Sequence, residues 1–224
     1  MACMYKEVVP WGRNYDEYVR MFDLKQTELK SKILGCGDGP ASFNGYCNAS
    51  GGDVVSIDPI YAMTREEIEQ RIKETYEIVL SQTRENRELF VWNDIKSIEQ
   101  LGDMRMAAMN DFLAAFEGGL NSGRYIAGSL PDLPFGDNQF DICLSSHFLL
   151  LYSINLSLPF HLESIREMLR VASEVRIFPL LSTDGNISAY LAEILNEFNN
   201  FKCEIRRVDY EFQKGANEML LISA

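Results

Sequence analysis

The stretch Ile33-Leu34-Gly35-Cys36-Gly37-Asp38-Gly39-Pro40 sets two apolar residues against glycines at alternate positions, and its reading decides the fold. Glycine reaches positive φ freely and lets another group approach the backbone closely. The apolar pair therefore reads as the end of a buried strand running into a tight turn, after which Ala41 to Asn48 starts a helix. Such turns, at the carboxyl ends of parallel strands, are where open α/β sheets bind ligands. A dinucleotide fingerprint, G-x-G-x-x-G, requires glycine where Pro40 stands, and proline has no N–H to offer a pyrophosphate. That speaks against a nicotinamide-dependent oxidoreductase, while a purely structural turn stays open.

Working outward, Val54-Val55-Ser56-Ile57 is a continuous β-branched run, as in a strand buried on both faces. It ends at Asp58, at roughly the ~20-residue distance from the glycines at which a carboxylate reaches ribose hydroxyls. Asp58-Pro59 is also a turn-former. Thr64 with Glu67 forms a capping box for a helix with Ile68, Ile72, Tyr76 and Val79/Leu80 on one face. A second helix runs through Met106, Met109, Phe112, Leu113 and Phe116 and is expected to stop at Gly118-Gly119. Strands follow at Tyr125–Ala127 and Phe140–Leu144, then a helix with Leu162, Ile165, Leu169 and Ala172 on one side. Val175–Phe178 is the next strand, and Ile187, Leu191, Ile194/Leu195 and Phe198 mark the next helix. This alternation implies a mostly parallel sheet with helices on both faces. The end breaks the pattern, because Lys214–Asn217 between Ile205–Phe212 and Met219–Ile222 is too short for a parallel crossover. The last strand must run back antiparallel.

Three stretches together resemble the class I S-adenosylmethionine-dependent methyltransferases: ILGCGDG at 33–39, VVSIDP at 54–59 and LPDLPFGDNQFDICLSS at 130–146. The last is similar to that family's L-P-F-x-D-x-x-F-D loop, here Leu133 to Asp141, and the terminal hairpin fits its reversed seventh strand. The resemblance covers residues 30–224. It implies a Rossmann-like, seven-stranded α/β domain over 30–224, preceded by an N-terminal helical extension over 1–29 that could serve as a lid. It further implies an S-adenosyl-L-methionine site made by Gly35, Cys36, Gly37, Asp38, Gly39, Asp58, Pro59, Ser129, Leu130 and Ser145. Two positions depart from the family. Ile33 stands where an acidic residue usually faces the cofactor's amino group, and Ser129 where another faces the adenine amino group. Asp38, inside the turn, is placed to compensate for the first. The departures keep a second reading open, a non-catalytic binding module with this fold.

His147 follows Ser145-Ser146 at the expected mouth of the site and is the candidate to take a proton from an incoming nucleophile; a buried structural histidine is the alternative. His161, the only other histidine, follows Pro159 near a helix start. No metal-ligating spacing and no nucleophile elbow, HExxH or Walker loop occurs, as suits methyl transfer, which needs no enzyme nucleophile. In the segment 11–18, Tyr15 and Tyr18, with Phe22, also read as an amphipathic helix packed on the sheet edge.

Composition narrows the partners. Of 224 residues, 46% are apolar, enough for one sizeable core. Against 33 acidic residues stand 21 basic ones, a net charge of −12 with no dense basic run. Nucleic acid and anionic membranes are disfavoured, and the acceptor expected of the methyltransferase resemblance is a small molecule. Five scattered cysteines and no apolar leader suit a reducing, cytoplasmic setting.

Overall fold

A computed structural model of the chain describes residues 9–223; residues 1–8 of the expected N-terminal extension lie outside the described residues. The sheet has seven strands: β1 (Lys32–Cys36), β2 (Asp53–Ile57), β3 (Tyr125–Ile126), β4 (Phe140–Ser146), β5 (Ala172–Phe178), β6 (Lys202–Arg207) and β7 (Glu218–Ser223). Their order is β3-β2-β1-β4-β5-β7-β6. The first five run parallel, and β7 runs antiparallel to both β5 and β6. The reversed last strand expected from the short 214–217 linker is therefore present.

Side chains leave a strand on alternate faces, and β1 shows the consequence. Leu34 and Cys36 join the cluster with Cys143, Val175, Ile177, Leu220 and Ile222, covered by helices α5 (Leu158–Val171) and α6 (Leu191–Glu197). Ile33 faces the other way, into the cluster with Val54, Ile142, Leu144, Met219 and Leu221. That face is covered by α1 (Tyr15–Met21) and α2 (Phe43–Ala49) through Tyr18, Met21, Phe43 and Cys47. A third cluster joins α3 (Arg65–Glu85) to α4 (Ile98–Asn121) around Tyr61, Phe112, Phe116 and Tyr125.

Local sequence explains where these helices begin. Asn14 with Glu17 and Thr64 with Glu67 form capping boxes, while Ser97 and Ser157 accept from the N3 amides of α4 and α5. The stop of α4 differs from expectation. The helix runs on through Gly118-Gly119 to Asn121, because Gly119 works as a packing site rather than a terminator. A Cβ there would lie 2.3 Å from Cδ2 of the buried Tyr125 ring. The helix face expected of 162–172 is also shifted. His161, Ser164, Ile165, Met168 and Val171 are its buried residues, and Ala172 already belongs to β5. Ile187 is 61% exposed and pairs with Leu181 before α6 begins.

Two buried arginines tie the segment before β1 to the rest. Arg105 of α4 holds Glu17 through both terminal guanidinium nitrogens, Nη1 to Oε2 at 2.5 Å and Nη2 to Oε1 at 2.7 Å. Arg176 of β5 donates to the Phe22 carbonyl at 2.7 Å and pairs with Glu28.

Candidate functional site

A cleft of about 420 Å³ opens at the carboxyl ends of the parallel strands, lined by Gly37–Pro40 after β1 and Ser146–Phe148 after β4. Between β1 and β4 the strand order reverses, with β2 and β3 on one side and β5 on the other. That crevice is the place at which doubly wound sheets bind ligands.

The glycines of the turn have different tasks. Gly37 has φ of +72°, donates to the Ile57 carbonyl at 2.9 Å and leaves no room for a Cβ, which would meet the Phe148 ring at 2.8 Å. Gly39 has φ of +53°, and nothing lies within 4 Å of where its Cβ would be, so its backbone faces open space. Gly35 makes room for Asp38, whose Oδ2 lies 1.9 Å from the position a Cβ at 35 would take. Asp38 thus folds back over the end of β1, accepting from Tyr18 Oη at 2.9 Å and Ser56 Oγ at 2.6 Å. Burial, with some help from Asp58, raises its carboxyl to about 6, although both hydroxyls oppose the shift. Among the described residues no cation lies within ion-pair distance of it.

Asp58, at the end of β2, closes the turn from the other side. Its Oδ2 accepts from the Gly39 amide at 2.9 Å, and its Oδ1 caps the following turn through the Ile60 amide at 2.9 Å. Burial raises this carboxyl too, against the pull of those two N–H groups. A carboxylate has about four lone-pair positions, so the capping role leaves acceptor capacity facing the cleft. Ile57, Gly128, Ser129 and Leu130 continue this wall.

The remaining sequence-predicted residues divide. Gly37, Asp38, Gly39, Asp58, Pro59, Ser129, Leu130 and His147 all line the cleft. Gly35 lies beneath Asp38, and Cys36 is buried with its Sγ 3.5 Å from that of Cys143. Ser145 is also fully buried, with its Oγ unpartnered, and it is Ser146, one residue on, that reaches the cleft. His147 has φ of +52°, a left-handed conformation that costs a non-glycine residue energy and often marks a functional site. Its amide donates to Phe178 O at 2.7 Å, and Nδ1 lies 3.0 Å from Ser146 Oγ. Burial, then Arg13 and Arg105, press its pKa well below the ordinary 6.5, which keeps the ring neutral. His161 is a core residue whose ring nitrogens face the carbonyls of Ser157 and Leu149.

Trp11, Arg13, Phe90, Tyr152, Phe212 and Gln213 line the far wall. Trp11 and Arg13 belong to the segment expected as a candidate lid, whereas Phe90, Tyr152, Phe212 and Gln213 are not expected at the site from the sequence. The 87–92 segment is fastened to the connection between β6 and β7 by Val91 N to Phe212 O at 2.7 Å and Lys214 N to Leu89 O at 2.9 Å. Phe90 and Phe212 stack with centroids 4.9 Å apart. No periodic pattern marks these loop residues. Only the Phe90/Trp92 and Tyr210/Phe212 pairs of aromatics hinted at them.

No protein-family model matches the chain. It is 38% identical over 218 residues to "Uncharacterized protein MJ0045" of Methanocaldococcus jannaschii, over 97% of this chain and 96% of that one. Among solved structures it is similar to a TehB-like SAM-dependent methyltransferase from Corynebacterium glutamicum, at 16% identity and TM-score 0.46, covering 93% of this chain and 87% of that one. A SAM-dependent methyltransferase from Aquifex aeolicus matches at 12% identity and TM-score 0.43, covering 92% and 90%. Among the described residues, no group of side chains is suited to hold a metal, and no helix is long and apolar enough to cross a membrane.

Proposed function

We propose that this chain, which belongs to one family with the M. jannaschii protein MJ0045, is an S-adenosylmethionine-dependent methyltransferase acting on a small-molecule acceptor. The observation that carries the reading is the clasp between Asp58 and the Gly39 amide at the strand-order reversal. It puts a carboxylate with spare lone pairs beside an open glycine backbone, as a ribose-bearing ligand requires.

The residues present fit the cofactor. Asp38 is a buried carboxylate without a cation, on the wall of the cleft, and a ligand ammonium would neutralise it. It would take over the task that Ile33 cannot perform, since Ile33 is fully buried in the apolar cluster on the opposite side of β1 from Leu34. Asp58 would accept from the ribose hydroxyls, and Ile57 and Leu130 would flank the adenine. Pro59 and Ser129 lie on the same wall, with the Ser129 hydroxyl available for hydrogen bonding to the adenine edge. When bound, the cofactor supplies a methyl carbon already made electrophilic by its sulfonium.

What remains for the protein is to hold the acceptor in line and exclude water. Val9, Pro10 and Trp11, which line the cleft, would close over the methionine end. His147 would receive the proton of an acceptor hydroxyl or ammonium. In the tautomer in which Nδ1–H donates to Ser146 Oγ, Nε2 carries the lone pair that takes the proton.

Asp58→Ala is the test. Losing charge-assisted bonds of roughly 1.5–3 kcal/mol should weaken S-adenosylhomocysteine binding by about ten- to hundredfold while the protein still folds. Wild-type affinity in that variant would remove the ribose assignment and the support it gives.

A further inference from the structure

Arg13 lines the cleft on the wall shared with Tyr152 and Tyr210. Its Nη1 donates to the Trp11 carbonyl at 2.5 Å, while its Nε is buried with no acceptor at all. The neighbouring carboxylate, Glu17, is already committed. It accepts from Arg105 twice, from Tyr210 Oη at 3.0 Å and from the Asn14 amide at 3.0 Å. Glu17 and Arg105 cancel, so Arg13 is a surplus positive charge facing the cleft. Arg71, exposed at the rim, likewise has no carboxylate within ion-pair distance among the described residues. In a chain of net charge −12, carboxylates were available in excess, yet neither cleft-lining arginine has one.

We propose that the acceptor is an anionic small molecule, a carboxylate or phosphate on an apolar or aromatic body. Arg13 binds the anion, and the body lies against Trp11 and the Phe90/Phe212 stack. The inference rests on the methyltransferase reading for the word acceptor, whereas the anion site stands on Arg13 itself. A planar guanidinium with unused donors matches a carboxylate or phosphate in geometry as well as charge. The surroundings agree. Burial holds the His147 pKa down, and the fields of Arg13 and Arg105 add to it. An anion paired with Arg13 cancels the Arg13 share, so arrival of the acceptor raises the basicity of His147.

The test uses benzoate and phenyl phosphate as probes, and benzamide as the neutral counterpart of benzoate, titrated by NMR into protein saturated with S-adenosylhomocysteine. Both anions should bind about tenfold or more tighter than benzamide and should shift the titration of the His147 ring upward. Arg13→Gln should abolish the preference, Arg13→Lys should retain part of it, and S-adenosylhomocysteine should bind both variants within about twofold of wild type. Equal binding of all three probes to the wild type overturns the proposal, whether or not the variants fold. So does an Arg13→Gln protein that loses S-adenosylhomocysteine about tenfold but keeps 5′-methylthioadenosine, since Arg13 would then serve the cofactor's own carboxylate. Failure of the wild type to bind S-adenosylhomocysteine strikes the methyltransferase reading instead, and the probe comparison is then made on the free protein.

Discussion

Arg105→Met strips the buried Glu17 carboxylate of its hydrogen-bonded counter-ion and leaves only the charge of Arg13, with which it makes no ion pair. Arg105 is 0% exposed and Glu17 4%, and their two hydrogen bonds of 2.5 and 2.7 Å join α4 to α1. Removing one partner of such a pair costs about 3–5 kcal/mol, since the remaining charge keeps its desolvation penalty. At roughly 2–4 °C per kcal/mol for a domain of this size, the melting temperature should fall by about 6–20 °C. Urea unfolding at neutral pH measures the loss directly. The double variant Glu17→Gln/Arg105→Met should recover most of it, because neither of the two positions then carries a charge. The pH dependence carries a second signature. Burial alone would raise the Glu17 carboxyl, but Arg105, its hydrogen bonds and Arg13 hold it at about 2, below the ordinary 4.5. A depressed folded-state pKa gives stability that is present above about 4.5 and lost as pH falls towards 2. In Arg105→Met that acid loss should vanish, since protonation relieves the stranded carboxylate. A single variant within about 1 kcal/mol of wild type, or no recovery in the double, would show that the Glu17–Arg105 pair does not hold α1 to α4.

Asp38 has the opposite linkage. Its folded-state pKa of about 6 lies above the ordinary 3.8, so the unliganded protein loses stability as pH rises between those values. Asp38→Asn should therefore melt higher than wild type at pH 7 without ligand, yet bind S-adenosylhomocysteine more weakly. Wild-type affinity should rise with pH through about 6, and the variant's should stay flat, as calorimetry at pH 5 and 7.5 would reveal. His147→Ala should leave S-adenosylhomocysteine affinity within about twofold of wild type and, with a productive acceptor, lower kcat. A melting temperature that falls without a kcat effect would mark it as structural. Gly119→Ala pushes a methyl group against the Tyr125 ring, 2.3 Å from Cδ2, in a cluster with Tyr61, Phe112 and Phe116. Overpacking of that kind costs roughly 1–3 kcal/mol, and denaturant unfolding should show it.

The parallel core was legible because its signals are local. Ile33-Leu34 before alternating glycines, the β-branched run to Ile57 and the 214–217 linker each constrain the backbone within a few residues. The reversed β7 followed from the linker alone. What escaped were features set by contacts between distant residues. The end of α4 hinges on Tyr125 filling the space beside Gly119, which no helix-stop rule contains. Ser145 and Ser146 are adjacent, and only the phase of the strand decides which of them reaches the cleft. Arg13 reads in sequence as one charge among many. Its lack of a partner follows from Arg105, 92 positions away (105 minus 13), having taken Glu17. The acceptor wall is assembled from loops at 9–13, 89–90 and 210–216, and loops carry no periodicity from which their meeting can be read.

The central claim is that the cleft between β1 and β4 binds an adenosyl sulfur cofactor. Isothermal titration of the purified wild-type chain with S-adenosylhomocysteine at pH 7.5, beside a parallel titration with NADH, tests it most directly. Saturable one-to-one binding of S-adenosylhomocysteine is expected, with no heat from NADH, since Pro40 in the glycine turn offers a pyrophosphate no N–H. Saturable NADH binding, or no saturable heat with S-adenosylhomocysteine, would contradict it.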